Sequence, residues 1–382
     1  MKKIAVLGAT GSVGLQALDV ASARGYKVDF LSANKDASGL ESLARKFMPR
    51  EVALADEKMA LELKASLADT PVKVLSGKEG IISGIYSSDS DTVVNSILGE
   101  AGLMPTLAVI DAGKRLALAN KESLVIAGDI VMDRAREKAC EILPVDSEHS
   151  AIFQSLVGER RDRIRRIILT ASGGPFYGKS REEQRSLTLA DTLAHPTWKM
   201  GKKITVDSAT LMNQGFEVIE AVHLFDVPAE KIDVVIHRES ILHSAVEYVD
   251  NAIIGELSPP DMRMCVQYAV DYPERFAREG EPLDLISLGK MSFAAPDTEA
   301  FPLLKLARRA AAEGGAMGAV LNAADEEAVF AFLKGEISFY DISEVVIRVY
   351  EKLSYGNNVR ELADILELAS EARKIAKTYI KE

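Results

Sequence analysis

Apolar residues in the first third of the chain come in short runs: Ile4 to Leu7, Val28 to Ser32, Val52 to Leu54, Thr92 to Ile97 and Leu116 to Leu118. Between them lie stretches with helical spacing, the first opening near Val13. Runs of this length separated by helical periods read as buried strands alternating with helices, and that alternation closes into a parallel sheet covered on both faces. From about Pro144 the rhythm changes to a strand candidate at Arg165 to Leu169, a glycine-rich loop at Ser172 to Gly178, and a helix from about Ser208 through Phe225. The stretch Asp271 to Pro296 holds Pro273, Pro282 and Pro296 with little helical period, and reads as an extended linker. After it, Leu303 to Glu313, Ala323 to Lys334, Ile342 to Leu353 and Asn358 to Tyr379 return to helical spacing. At 382 residues the chain exceeds one hydrophobic core, so two or three domains are expected.

Composition narrows the partners. A net charge of -11 argues against general affinity for nucleic acid or acidic membranes, though a local basic pocket can still hold a phosphate. No run of about 18 apolar residues occurs, and the most apolar late stretch, Ala310 to Leu321, is interrupted by Glu313 and glycines. Cys140 and Cys265 are far apart, without CxxC or Cys/His spacing, so neither a disulfide framework nor a zinc site is expected and the setting is a reducing cytoplasm. Both cysteines sit among residues that suggest burial. Lys2 and Lys3 before an apolar run imitate a signal peptide, but Gly8, Gly11 and Gly14 break that run into a strand and a turn.

Gly8-Ala-Thr-Gly11-Ser-Val-Gly14 follows an apolar strand and opens a helix, the context a dinucleotide loop requires. Its glycines let the backbone approach a pyrophosphate at the helix N-terminus, although a plain strand-to-helix turn has the same composition. After the second strand, Asn34-Lys35-Asp36 stands where the adenosine ribose lies in such folds. There Asp36 suits a 2′-hydroxyl and Lys35 a 2′-phosphate, leaving NAD and NADP both open. Asp146 and Glu148 are two apart and share one side of an extended segment, which suits a hard cation, while a solvated acidic loop looks the same in sequence. Asn213 and Glu217 share a helix face, and Gly215 between them marks a close approach. Ser172-Gly-Gly and Asp207-Ser208 carry hydroxyls and backbone amides suited to a phosphate. His195-Pro-Thr-Trp198-Lys-Met200-Gly201 reads either as a lid or as a loop around a core tryptophan, and His237 and His243 read first as structural histidines.

Taken in order, LGATGSVG, LANKESLV, PVDSEHSAIFQ, ASGGPF, HPTWKMGKKITVDSATLMNQGFEVIEA and PPDMR resemble the 1-deoxy-D-xylulose 5-phosphate reductoisomerase family from residue 1 to about residue 265. The resemblance implies an α/β chain in four parts. These are a doubly wound Rossmann-type NADPH domain over 1–146, an α+β catalytic and dimerisation domain with a mobile loop over 147–271, a linker over 272–297, and a C-terminal helical bundle over 298–382. It implies Asp146, Glu148 and Glu217 as ligands of a divalent cation (Mg, Mn or Co). Lys121, Glu148 and His195 become catalytic; Ser147, Ser172, Trp198, Ser208, Asn213, Gln214 and His243 complete the substrate site. Gly8, Thr10, Gly11, Ser12, Val13, Asn34, Lys35, Asn120, Glu122, Gly201 and Met262 would meet NADPH. The implied reaction is metal-assisted retro-aldol and aldol rearrangement of a sugar phosphate followed by hydride reduction, in a homodimer of the bacterial cytoplasm with no nucleic-acid or membrane partner.

The chain departs from the family pattern where Gln214 replaces a usual lysine, where His237-Arg-Glu-Ser240 replaces HPQS, and in Ala33-Asn34-Lys35. Two other classes share parts of the sequence signal. A semialdehyde dehydrogenase opens with the same glycine motif but needs a nucleophilic cysteine, and a dinucleotide sensor would not need the three carboxylates.

Overall fold

The computed structural model describes residues 1–382 except 195, 199, 278 and 279. The chain divides into two compact units. The first takes in Met1–Ser123, Ile130–Ser150 and Asp261–Glu279; the second takes in Leu124–Asp129, Ala151–Pro260 and Gly280–Glu382.

In the first unit, strands β1 (Lys3–Leu7), β2 (Lys27–Ala33), β3 (Glu51–Leu54), β4 (Lys73–Ser76), β5 (Thr92–Asn95), β6 (Arg115–Leu118) and β7 (Ile142–Pro144) form one parallel sheet in the order β4-β3-β2-β1-β5-β6-β7. β1, β2, β3 and β5 are buried on both faces, as expected where helices cover a parallel sheet. The missed strands are the two edges. β4 reads Lys-Val-Leu-Ser and is only partly covered, and β7 is three residues ending in a proline, which an edge tolerates. Strand order reverses beside β1, between β2 and β5, and a ligand crevice is expected outside the carboxyl ends of the strands at such a point.

In the second unit, β8 (Ile164–Ala171), β9 (Ile232–Ile236), β10 (Leu242–Tyr248) and β11 (Ile253–Leu257) form a sheet in the order β11-β10-β8-β9. β8 and β9 run parallel, with Ala171 opposite Ile236, so the turns that leave these two strands start side by side. The expected single helix from Ser208 to Phe225 is two helices, Lys202–Thr210 and Met212–Phe225, because Leu211 takes a left-handed conformation (φ 60°). Helices Pro302–Glu313, Met317–Leu333, Phe339–Lys352 and Leu362–Ile380 belong to this unit and pack on one another and on Met212–Phe225. Gly215 is the point of contact: a Cβ there would lie 2.5 Å from Ala307 Cβ, so the two helices approach through the missing methyl.

Candidate functional site

In the first unit the predicted residues gather at the carboxyl ends of the parallel strands. Thr10, Ser12 and Val13 lie in the turn after β1 or at the start of the helix Ser12–Arg24, whose N-cap Gly11 brings no side chain to the exposed first-turn amides. Gly8 has φ 76°, and a Cβ on it would sit 2.7 Å from Ser96 O, just past β5. Only glycine lets the chain turn here against the neighbouring strand end, and the same turn leaves helix amides facing outward for an anion. After β2, Asn34 and Lys35 are exposed. Asp36 is occupied as the N-cap of Ala37–Phe47, accepting from Gly39 N at 2.9 Å. A carboxylate used as a cap is poorly disposed toward a ribose 2′-hydroxyl, whereas the exposed Lys35 ammonium suits a 2′-phosphate, so the geometry favours NADP over NAD.

Asn120 lies after β6 with its side chain committed to the protein: its amide donates to Ile97 O (2.7 Å), Gly99 O (3.0 Å) and Glu122 Oε2 (2.9 Å), and its oxygen accepts from Ser123 N (3.1 Å). It therefore braces the loops after β5 and β6, and its own contact to a cofactor would come through backbone. Lys121 Nζ reaches Asp146 Oδ2 at 2.5 Å, joining the loop after β6 to the loop after β7. Burial by itself would raise the Asp146 pKa, but the Lys121 charge and His149 outweigh it and hold the carboxyl lowered to about 2. Ser147 and Glu148 follow at the start of the helix Ser147–Ser155, with the Ser147 hydroxyl donating to Glu148 Oε2 at 2.6 Å. Asp146 and Glu148 thus offer two half-buried carboxylates, one firmly ionised, and their hard oxygen donors fit Mg or Mn. Met262 opens the helix Met262–Asp271, which packs on the helix Ser12–Arg24.

In the second unit, Ser172 follows β8 and is buried, its Oγ accepting from Gly174 N at 3.2 Å. Gly174 (φ 63°) presses its backbone on Ser208, since a Cβ would stand 2.6 Å from Ser208 O. Ser172 and Ser208 are thereby brought to one place although 36 residues separate them in sequence. Asn213 Nδ2 donates to Glu217 Oε1 one turn along the helix, as the shared face predicted. The Gln214 side-chain oxygen is buried without a hydrogen-bond partner among the described residues, an acceptor suited to a ligand hydroxyl. Glu217 is buried and is the third oxygen donor of the predicted cation set.

His243 is buried, its Nε2 bonded to Ser258 O at 3.1 Å and its ring 6.0 Å from that of Trp198. Burial depresses its pKa to about 4, so it is neutral near pH 7. His237 is structural: Nδ1 donates to Ser292 O and Nε2 accepts from the amides of Ile241 and Leu242. Gly201 caps the helix Lys202–Thr210. His195 lies outside the described residues. The residue sequence reasoning passed over is Arg238, whose guanidinium donates to the carbonyls of Ser172 (3.0 Å) and Gly174 (2.6 Å). A cation in place of a proline two residues beyond β9 was the available signal.

The two cysteines remove the dehydrogenase reading. Cys265 is buried, as expected; Cys140 is half-buried rather than buried, with its Sγ donating to Lys114 O at 3.1 Å. Burial pushes its thiol up to about 11, far from an activated nucleophile.

Comparison with known proteins agrees with the geometry. Three family models match in succession: 1-deoxy-D-xylulose 5-phosphate reductoisomerase over residues 4–128, the 1-deoxy-D-xylulose 5-phosphate reductoisomerase C-terminal domain over 142–225, and the DXP reductoisomerase C-terminal domain over 257–375. A 1-deoxy-D-xylulose 5-phosphate reductoisomerase of Caldanaerobacter subterraneus subsp. tengcongensis is 49% identical, with 100% of each chain covered. The reductoisomerase of Zymomonas mobilis, solved in complex with NADPH, superposes with a TM-score of 0.93 at 40% identity, over 100% of this chain and 99% of that one. A further solved DOX-P reductoisomerase, in complex with NADPH, fosmidomycin and magnesium, also gives a TM-score of 0.93 at 40% identity, over 100% of this chain and 98% of that one. Matched along its whole length in sequence and in fold, the chain belongs to the 1-deoxy-D-xylulose 5-phosphate reductoisomerase family.

Proposed function

We propose that this chain is an NADPH-dependent oxidoreductase that converts 1-deoxy-D-xylulose 5-phosphate to 2-C-methyl-D-erythritol 4-phosphate, a step toward isoprenoid precursors. The observation that carries the reading lies in the first unit. The glycine turn with its uncapped helix amides and the Lys121–Asp146 acidic loop open on the same edge of one parallel sheet, so a nicotinamide cofactor and a metal-held substrate meet there. When bound, NADPH supplies the hydride and the divalent cation polarises the substrate's adjacent carbonyl and hydroxyl oxygens for the retro-aldol and aldol exchange.

The chain's own residues do the rest. Asp146, Glu148 and Glu217 are three carboxylates, an all-oxygen donor set that suits Mg, Mn or Co. Lys121 keeps Asp146 ionised and carries an ammonium that can donate to a substrate hydroxyl as its charge develops. Ser172, Ser208 and Asn213 hold the phosphate, Ser147 and Gln214 bond substrate hydroxyls, and Trp198 with neutral His243 walls the site. Carbon fragments of the broken skeleton must neither escape nor meet water, and His195 with the Trp198–Gly201 stretch is the segment we assign to that shielding.

We further read the chain as a homodimer acting in the bacterial cytoplasm. Edge strand β11 exposes Ile253, Ile254 and Leu257, apolar surface that a second copy would cover. The test of function follows NADPH absorbance in the presence of 1-deoxy-D-xylulose 5-phosphate with Mg or Mn, then with chelator. Oxidation that needs substrate and stops with chelator supports the reading; a folded, NADPH-binding protein that oxidises nothing refutes it. Sedimentation decides between monomer and dimer.

A further inference from the structure

We propose that Arg238 supplies positive charge to the phosphate pocket and sets the enzyme's preference for phosphorylated substrate, an inference that rests on the phosphate site proposed above. Its place follows from sheet topology. β8 and β9 are parallel neighbours in register at Ala171 and Ile236, and His237 N donates to Ala171 O at 2.7 Å. The next residue, Arg238, is therefore delivered to the loop Ser172–Gly174 by backbone pairing. Its Nη1 donates to the carbonyls of both Ser172 and Gly174, and its guanidinium lies over the Tyr177 ring, with Cζ 5.1 Å from the centroid.

Nη1 meets two carbonyls, which are neutral acceptors, and no carboxylate pairs with Arg238 among the described residues, so its charge is not cancelled locally. The charges around Ser208 point the same way. Asp207 takes the Lys203 ammonium at 2.6 Å, and that ammonium is shared with Asp325 at 3.0 Å, so this lysine is already engaged by the protein. Gln214, beside Asn213, is neutral. Among the described residues, a phosphate held by Ser172 and Ser208 therefore draws its charge complement from Arg238, which bonds the carbonyls of the Ser172–Gly174 loop and so also holds it in the shape that presents Ser172. Guanidinium suits this double task, because a planar fork can bind carbonyls while its charge remains delocalised.

The test uses the full chain and the variants Arg238→Gln, Arg238→Lys and Arg238→Gln/Gln214→Lys. Steady-state kinetics with 1-deoxy-D-xylulose 5-phosphate are read as KM against kcat, and inorganic phosphate binding is read by calorimetry, independent of turnover. For Arg238→Gln we expect KM and the phosphate Kd to rise together by roughly ten- to a hundredfold, the worth of a hydrogen bond or contact to a charged group, with kcat and the NADPH Kd changed far less. Arg238→Lys keeps the charge and is expected to stay within a few-fold of wild type for phosphate; Gln214→Lys is expected to restore much of the loss. Equal damage in Arg238→Lys and Arg238→Gln, or a fall in kcat at constant KM, overturns the charge role and leaves Arg238 a loop brace. A wild-type chain that binds phosphate in an Arg238-dependent manner but oxidises no NADPH with the substrate would refute the proposed activity while supporting this proposal.

Discussion

Gly215→Ala puts helix propensity against packing, and the structure decides the sign. On an isolated helix the change is favourable by about 1 kcal/mol. Here the new Cβ would lie 2.5 Å from Ala307 Cβ, roughly 0.9 Å inside the 3.4 Å at which ordinary contact begins, and neither methyl can rotate away. The helices Met212–Phe225 and Pro302–Glu313 must then separate, and overpacking of this kind costs typically about 1–3 kcal/mol. Set against the helix gain, the net expectation is a destabilisation of up to about 2 kcal/mol in the second unit, or a midpoint lower by as much as a few degrees. Trp198 is the chain's single tryptophan and lies in that unit, so its fluorescence follows the relevant transition. Asn213 and Glu217 flank the substitution, so a displaced helix should also raise the Mg concentration for half-maximal turnover. Adding Ala307→Gly should recover most of the loss, because the two sites share one contact. A midpoint raised by Gly215→Ala would show that the helix interface yields without cost and that the close approach is not why glycine stands there.

Further expectations are independent of that contact. Lys35→Ala should raise the KM for NADPH roughly tenfold, about the value of one charge-assisted contact, while leaving NADH almost untouched; an equal effect on both cofactors would remove Lys35 from the 2′-phosphate. Lys121→Met leaves a half-buried carboxylate without its counter-charge, and about 3 kcal/mol of stability should be lost with a weakened Mg requirement curve; unaltered melting and unaltered Mg dependence would contradict the pairing. His243 has a folded pKa of about 4, below its unfolded value, so the unfolded chain binds the extra proton. Its contribution, up to roughly 3 kcal/mol, is complete above about pH 6.5 and is lost as pH falls toward 4. A His243→Gln variant should show a flatter stability profile across that window, and an identical slope would mean that the histidine titrates normally.

Most of the first unit was readable because a parallel sheet buries its inner strands on both faces and writes them as unbroken apolar runs. Its edges escaped for the opposite reason: β4 is short and half-polar, and β7 is an apolar pair closed by a proline, too brief to stand out from a loop. The break falls on a buried leucine with no glycine or proline beside it to mark it, so the sequence reads as one helix where two exist. Asp36 suits a ribose hydroxyl by its position after β2, yet Asp36-Ala-Ser-Gly39 is also a helix start, and the cap uses the carboxylate. Arg238 could not be placed beside Ser172 from sequence, because only the pairing of β8 with β9 brings positions 66 apart together.

The stop at Leu211 has a consequence for electrostatics. A single rod from Lys202 to Phe225 would have one positive end, at Gly201, and every amide between 206 and 225 would find its carbonyl one turn earlier. A chain that halts and restarts at Leu211 instead creates a second positive pole in the interior, immediately ahead of Asn213 and beside the negative pole that ends Lys202–Thr210, and the first-turn amides of the restart favour an anion set against them without any ionisable side chain. Such a pole does not titrate and keeps its sign at any pH at which the unit stays folded, so a neutral glutamine at 214 removes less from this pocket than counting its charged side chains would suggest.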